Sequence, residues 1–149
     1  MSPYPTATDI TSIFKNMETG NYAEVFKRVS PNVDWTVMGT HPCAGRYTTL
    51  AAFQEGTLKR LGAIMKEPGI RLKVRNVIGG GEQAWAVVEL MADAECKNGM
   101  VFENTYAWCM RFDEEGLVVQ VRAYLDSTMV KQAVEENEGA CESFRAPVE

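Results

Sequence analysis

The chain has one histidine in 149 residues, and its four cysteines (Cys43, Cys96, Cys109 and Cys141) form no C-x-x-C pair. A single imidazole and scattered thiols do not make the four-ligand set of a zinc site, so no metal is expected. Gly79-Gly80-Gly81 belongs to no G-x-G-x-x-G, and no Lys-Ser/Thr follows it, so the triplet is not a phosphate loop. With these motifs missing, the expected cofactor set is none. No Lys/Arg-rich run occurs and the formal net charge is -5, which argues against nucleic acid or an anionic membrane as partner. The opening MSPYPTATDI has neither a basic nor an apolar leader region, and no apolar run reaches bilayer length. A cytoplasmic setting with free thiols is the expectation.

What is present is ordinary globular composition, 46% hydrophobic and 23% charged, in a chain long enough for a real core. Ile10, Ile13, Phe14 and Met17 fall at i, i+3, i+4, i+7 and predict a helix closing at Gly20. Asn21 and Glu24 have capping-box spacing ahead of a short helix through Tyr22, Val25, Phe26 and Val29, ended by Ser30-Pro31-Asn32. Val33, Trp35 and Val37 alternate with polar neighbours as a first strand. After the loop 39–47, Thr48 or Thr49 can cap a third helix bearing Leu50, Phe53, Leu58, Leu61, Ile64 and Met65. Four β-rich stretches follow, 70–78, 83–96, 100–112 and 117–126, joined by short Gly-bearing connectors that predict hairpins. A last short helix is expected from Thr128 to about Val134. One domain, 1–134, with a loose polar tail, 135–149, completes the reading.

Helices first and hairpins afterwards predict an α+β fold, with three N-terminal helices on one face of a strongly bent, mostly antiparallel sheet. The cone-shaped space between the layers is where a ligand would sit.

Trp35-Thr36-Val37-Met38-Gly39 followed by His41-Pro42-x-Ala44-Gly45-x-Tyr47, and the run Gly116 to Ser127 containing Arg122-x-Tyr124-x-Asp126, resemble SnoaL-like proteins of the NTF2-like superfamily. The hairpin Asn104-x-Tyr106 through Phe112-Asp113 fits the same pattern, and the likeness spans roughly residues 9–134. The resemblance implies a cone-shaped fold that hosts polyketide cyclases, isomerases, epoxide hydrolases, dehydratases and binding modules. Where many relatives carry Glu after the Arg of the last strand this chain has Ala123, which counts against chemistry needing a second carboxylate there.

Strand parity puts Arg122, Tyr124 and Asp126 on one face of the last strand and Val121, Ala123 and Leu125 on the other. On the strand before it, Phe102, Asn104, Tyr106, Trp108, Met110 and Phe112 share the face assigned to the cavity. Asp126, among aromatics at the end of a row read as inward, is the candidate base, against the alternative of a helix N-cap. His41, by the resemblance near the pocket mouth, is its candidate acid/base partner, against the alternative of an exposed loop histidine. Arg122, Tyr124 and Asn104 are the expected holders of an enolate oxygen, with Trp35, Tyr47, Trp85, Tyr106 and Trp108 as walls.

These assignments predict a cofactor-independent isomerase or cyclase that moves a proton next to a carbonyl of a polyketide-type aromatic or polycyclic substrate. The alternatives are a non-catalytic small-ligand module and, lower, an epoxide hydrolase or dehydratase. An outer sheet face bearing Thr105, Ala107, Cys109, Val119, Val121 and Ala123 is too apolar for full exposure and predicts a homodimer.

Overall fold

The computed structural model describes residues 2–145. Helix α1 (Ala7–Phe14) opens with a capping box one turn ahead of the expected apolar stripe. Asp9 N–H donates to Thr6 Oγ1 at 3.1 Å, and Thr6 N–H donates to Asp9 Oδ2 at 3.0 Å. The helix tightens into a 3₁₀ turn, Lys15–Thr19, and stops at Gly20, whose φ of 81° suits glycine. Ile10, Phe14 and Met17 are buried as their spacing requires. Helix α2 (Tyr22–Phe26) begins after Asn21, but the Asn21 side chain makes no capping bond. Its ψ of 67° is not the extended backbone that aims a cap at the first turn, so the box expected there does not form.

Seven strands follow: β1 (Val29–Val37), β2 (Gly45–Tyr47), β3 (Arg71–Gly79), β4 (Trp85–Glu95), β5 (Val101–Phe102), β6 (Thr105–Phe112) and β7 (Val118–Leu125). They form one sheet in the order β2-β1-β7-β6-β4-β3, with β5 on β4. Only β1 and β7 run parallel, which seats the N-terminal strand against the last one. Strand β1 starts earlier than its alternation indicates, because Ser30-Pro31-Asn32 lie within it at an irregularity of register where Pro31 owes no donor.

Between β2 and β3 run α3 (Leu50–Phe53), a π turn (Gln54–Leu58) and α4 (Lys59–Gly62), which together make the expected third helix. Thr49 caps it, accepting from Ala52 N–H at 3.1 Å. The π turn accounts for the five-residue step from Phe53 to Leu58 in the apolar pattern, since it adds one residue to a turn. Helix α5 (Ser127–Arg145) continues well beyond Val134, where the tail was expected to loosen. Three contacts hold that continuation: Ala133 and Val134 are buried, Asn137 Oδ1 accepts from Asn98 N–H at 3.0 Å, and Arg60 grips Glu138 through two bonds of 2.9 and 3.0 Å. The end of the tail, residues 146–149, and the Cys141 side chain lie outside the described residues. Cys43, Cys96 and Cys109 are free thiols. No described helix is long and apolar enough to cross a membrane.

Cross-strand register decides which face of β7 looks inward. Trp108 pairs with Ala123 and Met110 with Val121, so these four share one face, and all four are buried. Val121 and Ala123, expected on the outside, are therefore core. Arg122 and Tyr124 take the outer face, where Tyr124 is 44% exposed and the Arg122 guanidinium stacks 4.5 Å from the Trp85 ring centre.

Candidate active site

A layer of side chains between the sheet and the α3–α4 segment lines one cavity. From the sheet come Trp35 and Val37 of β1, Tyr106 and Trp108 of β6, and Ala123 and Leu125 of β7. Phe53, Thr57, Leu58 and Leu61 face them, with His41 and Cys43 closing the side. The π turn brings both Thr57 and Leu58 to the wall, where a regular α turn would turn one of them away. Thr57 Oγ1 donates to Phe53 carbonyl oxygen at 2.6 Å, so its hydroxyl is used within the helix. Trp35 stacks on Phe53 with ring centres 3.7 Å apart, and Trp108 meets Trp35 edge-on at 5.2 Å.

The space these rings leave is about 40 Å³ measured over the centres of water-sized spheres, room for roughly three waters. It adjoins a wider surface hollow of about 640 Å³ on the same measure, and Leu58 and Ile70 belong to both. The cavity has room for no more than one end of a ligand of ordinary size, whose bulk would have to rest in the hollow.

Two donors in this apolar wall have no acceptor among the described residues. The indole Nε1–H of Trp35 is fully buried and unbonded. The Tyr106 hydroxyl, on a part-buried residue, makes no hydrogen bond to the described residues, and its apolar surroundings drive its pKa far above the ordinary phenol range, so it stays a protonated donor. A buried donor without a partner carries a desolvation cost that a bound acceptor would offset.

His41 is 7% exposed and lines the cavity, as its position near the pocket mouth implied. Its ring nitrogens are both engaged. Nε2–H donates to Met38 carbonyl oxygen at 2.9 Å, and Nδ1 accepts from Cys43 N–H at 3.1 Å. That pattern fixes the neutral Nε2–H tautomer, and burial lowers the imidazole pKa further against a small opposing effect of the Met38 bond.

The remaining expected site residues lie elsewhere. Asp126 is exposed at the start of α5, and its Oδ1 accepts from Met129 N–H at 3.2 Å, the N-cap alternative. It does not share the cavity with His41. Asn104 is fully buried on the inward face, but its amide is spent on the main chain of Asp126, so it offers no bond to a ligand. Tyr47 packs edge-on behind Phe53 and donates to Cys43 carbonyl oxygen at 2.8 Å, one layer back from the cavity. Arg122, Tyr124 and Trp85 stand on the outer face, so the carbonyl-holding role assigned to the first two falls to no residue of β7. Of the expected walls, Trp35, Tyr106 and Trp108 line the cavity. Among the lining residues there is no carboxylate.

No protein-family model matches the chain. Its sequence is 35% identical over 129 residues to the dimerizing cyclase phiC of a fungal species, covering 87% of this chain and 57% of that one. It is 32% identical over 127 residues to the dimerizing cyclase tstC of Talaromyces stipitatus, covering 85% and 54%. The chain thus spans about half the length of the curated relatives it matches. Among solved structures, an NTF2-like protein of Burkholderia thailandensis superposes with a TM-score of 0.72 at 21% identity, over 90% of this chain and 98% of that one. The chain therefore has the NTF2-like fold and is related in sequence to the fungal dimerizing cyclases.

Proposed function

We propose that the chain is a cyclase, the activity its fungal relatives are named for, or an isomerase, that works without a cofactor on a polyketide-type substrate with a conjugated carbonyl. The observation that carries this reading is a small apolar cavity in which two donors without acceptors, Tyr106 O–H and Trp35 Nε1–H, accompany a neutral histidine. A carbonyl oxygen inserted there accepts from Tyr106, and the negative charge that grows on it as an enolate forms is stabilised where water is excluded.

His41 is the base. Its Nδ1 lone pair takes the proton from the carbon next to the carbonyl once Cys43 N–H gives way. The Nε2–H bond to Met38 keeps the resulting imidazolium in place. In cyclisation the enolate carbon attacks an electrophilic unsaturated carbon, a C–C bond closes, and the electron pair moves to the acceptor's oxygen. The imidazolium then returns its proton. In isomerisation the proton returns to a different carbon of the same conjugated system. The outer sheet face pairs with a second copy.

A binding module is the second reading, favoured by the bond that already occupies His41 Nδ1 and by the lack of a lining carboxylate. Deuterium exchange separates the two. With methyl 4-oxo-4-phenylbutanoate in D₂O, the protein should accelerate exchange at the carbon next to the ketone, followed by NMR. His41→Gln should abolish the acceleration while binding persists. Tight binding without any acceleration would establish the module instead.

A further inference from the structure

The hollow beside the cavity carries charge of one sign. Its charged lining side chains are Lys59 and Arg71, and no carboxylate lines it. Lys59 is exposed and pairs with Glu55 at 3.3 Å, whereas Arg71 forms no ion pair among the described residues. Asp93 faces Arg71 across the β3–β4 ladder, yet the guanidinium does not pair with it. It lies instead over the left-handed turn at Gly20, where an added Cβ would come within 3.1 Å of Arg71 Nε and 3.3 Å of Cζ. Glycine there serves twice, allowing the φ of 81° and leaving the guanidinium its seat.

That seat sits beside the passage to the cavity. Tyr22 lines the same hollow, its hydroxyl donates to Ile70 carbonyl oxygen at 2.7 Å, and it feels the Arg71 charge. Ile70, the neighbour of Arg71 in sequence, forms part of both the hollow and the cavity. A guanidinium with a free planar fork, half-buried at the rim of an apolar slot, is suited to a carboxylate.

We propose that Arg71 binds a carboxylate of the substrate, so that the substrate is an amphiphile: a conjugated ketone end in the cavity and an anionic group in the hollow. This rests on the cavity being the ketone site. A charge-assisted bond at a half-exposed position corresponds to about a tenfold gain in affinity.

The test uses ω-benzoylalkanoates of increasing chain length, beginning with 4-oxo-4-phenylbutanoate, and their methyl esters, with binding followed by quenching of tryptophan fluorescence. At the chain length that spans cavity and hollow, the acid should bind about tenfold tighter than the ester. Arg71→Gln should remove that preference and leave ester affinity unchanged, Arg71→Lys should retain part of it, and Lys59→Gln should leave it intact. Circular dichroism checks that each variant is folded. Equal binding of acid and ester at every length, or a preference that survives Arg71→Gln, overturns the anion site while the ketone site stands. Failure of both acid and ester to bind overturns the ketone site and the anion site together.

Discussion

Asn104 holds the main chain of Asp126 from both sides: Oδ1 accepts Asp126 N–H at 2.9 Å, and Nδ2 donates to Asp126 carbonyl oxygen at 3.1 Å. One amide, from the break between β5 and β6, thus fixes the joint between β7 and α5 while the Asn104 carbonyl still accepts from Ala92 N–H of β4 at 2.7 Å. Asn104→Ala leaves two part-buried main-chain groups without their partner and should cost about 1–3 kcal/mol, read from the urea midpoint. Asp126→Asn keeps a good cap and should be neutral in both stability and turnover, while Asp126→Ala should cost about 1 kcal/mol. A collapse of turnover in the Asn variant would restore Asp126 as a catalytic group.

Tyr106→Phe removes the hydroxyl and little else. Turnover should fall about 10²- to 10³-fold, the scale for one donor to a developing oxyanion. Thermal stability should change little, because the hydroxyl makes no protein hydrogen bond that the substitution would remove. A variant with full turnover would place the carbonyl elsewhere.

His41 ties stability to acid pH. The unfolded chain protonates this residue near the ordinary value of 6.5, and the folded protein does so only at lower pH. Below pH 6.5 the unfolded state binds more protons, so the contribution is complete above that pH and is lost as pH falls through the folded value. Urea midpoints should decline over that window in the wild type. Subtracting the His41→Gln profile should isolate the His41 share, and parallel profiles would show that the imidazole is no better shielded when folded.

Tyr22 gives the opposite slope at the alkaline end. Burial pushes its phenol from 10.0 up to about 12, so its contribution is complete below pH 10 and lost as pH rises toward 12. Tyr22→Phe should flatten stability across that interval.

The outer face mixes Cys109, Ala107 and Tyr124 with Arg111, Gln120 and Arg122. Light scattering at micromolar concentration should report twice the mass of the chain, and Ala107→Glu should return it to the monomer. A monomeric wild type would leave that face as solvent surface.

Much of the fold was legible because it is written in periodicity. The i, i+3, i+4 stripe of Ile10, Phe14 and Met17, the Gly-bearing hairpins and the aromatic row from Phe102 to Phe112 all depend on local sequence and burial. The site was legible only in its walls. Whether Asp126 caps a helix or acts as a base depends on where Oδ1 points, and no spacing encodes that. His41 was found by residue type, but its two backbone bonds depend on how loop 38–43 closes on itself. Arg122 and Tyr124 were misplaced although a signal existed: Val121, Ala123 and Leu125 are the apolar partners in the alternation, and apolar faces turn inward. Arg71 left no readable signature, because it takes its meaning from residues distant in the chain, whereas the π turn is visible only as the five-residue step from Phe53 to Leu58.

The irregularity between Phe112↔Val118 and Arg111↔Gln120 leaves Val119 as an extra residue on β7, and everything after it inherits that offset. The bulge is consequently where the strand resets its alternation, so that Val118 and Val121 are both buried although three residues apart. Deleting Val119 would close the ladder, with Val118 inward beside Gln120 outward, and would leave Ala123 inward and Arg122 and Tyr124 outward. The start of β7 can therefore lose a residue without exchanging the lining of the chamber, so differences in composition along the strand should separate chemistries more sharply than a difference of one residue in length at its start.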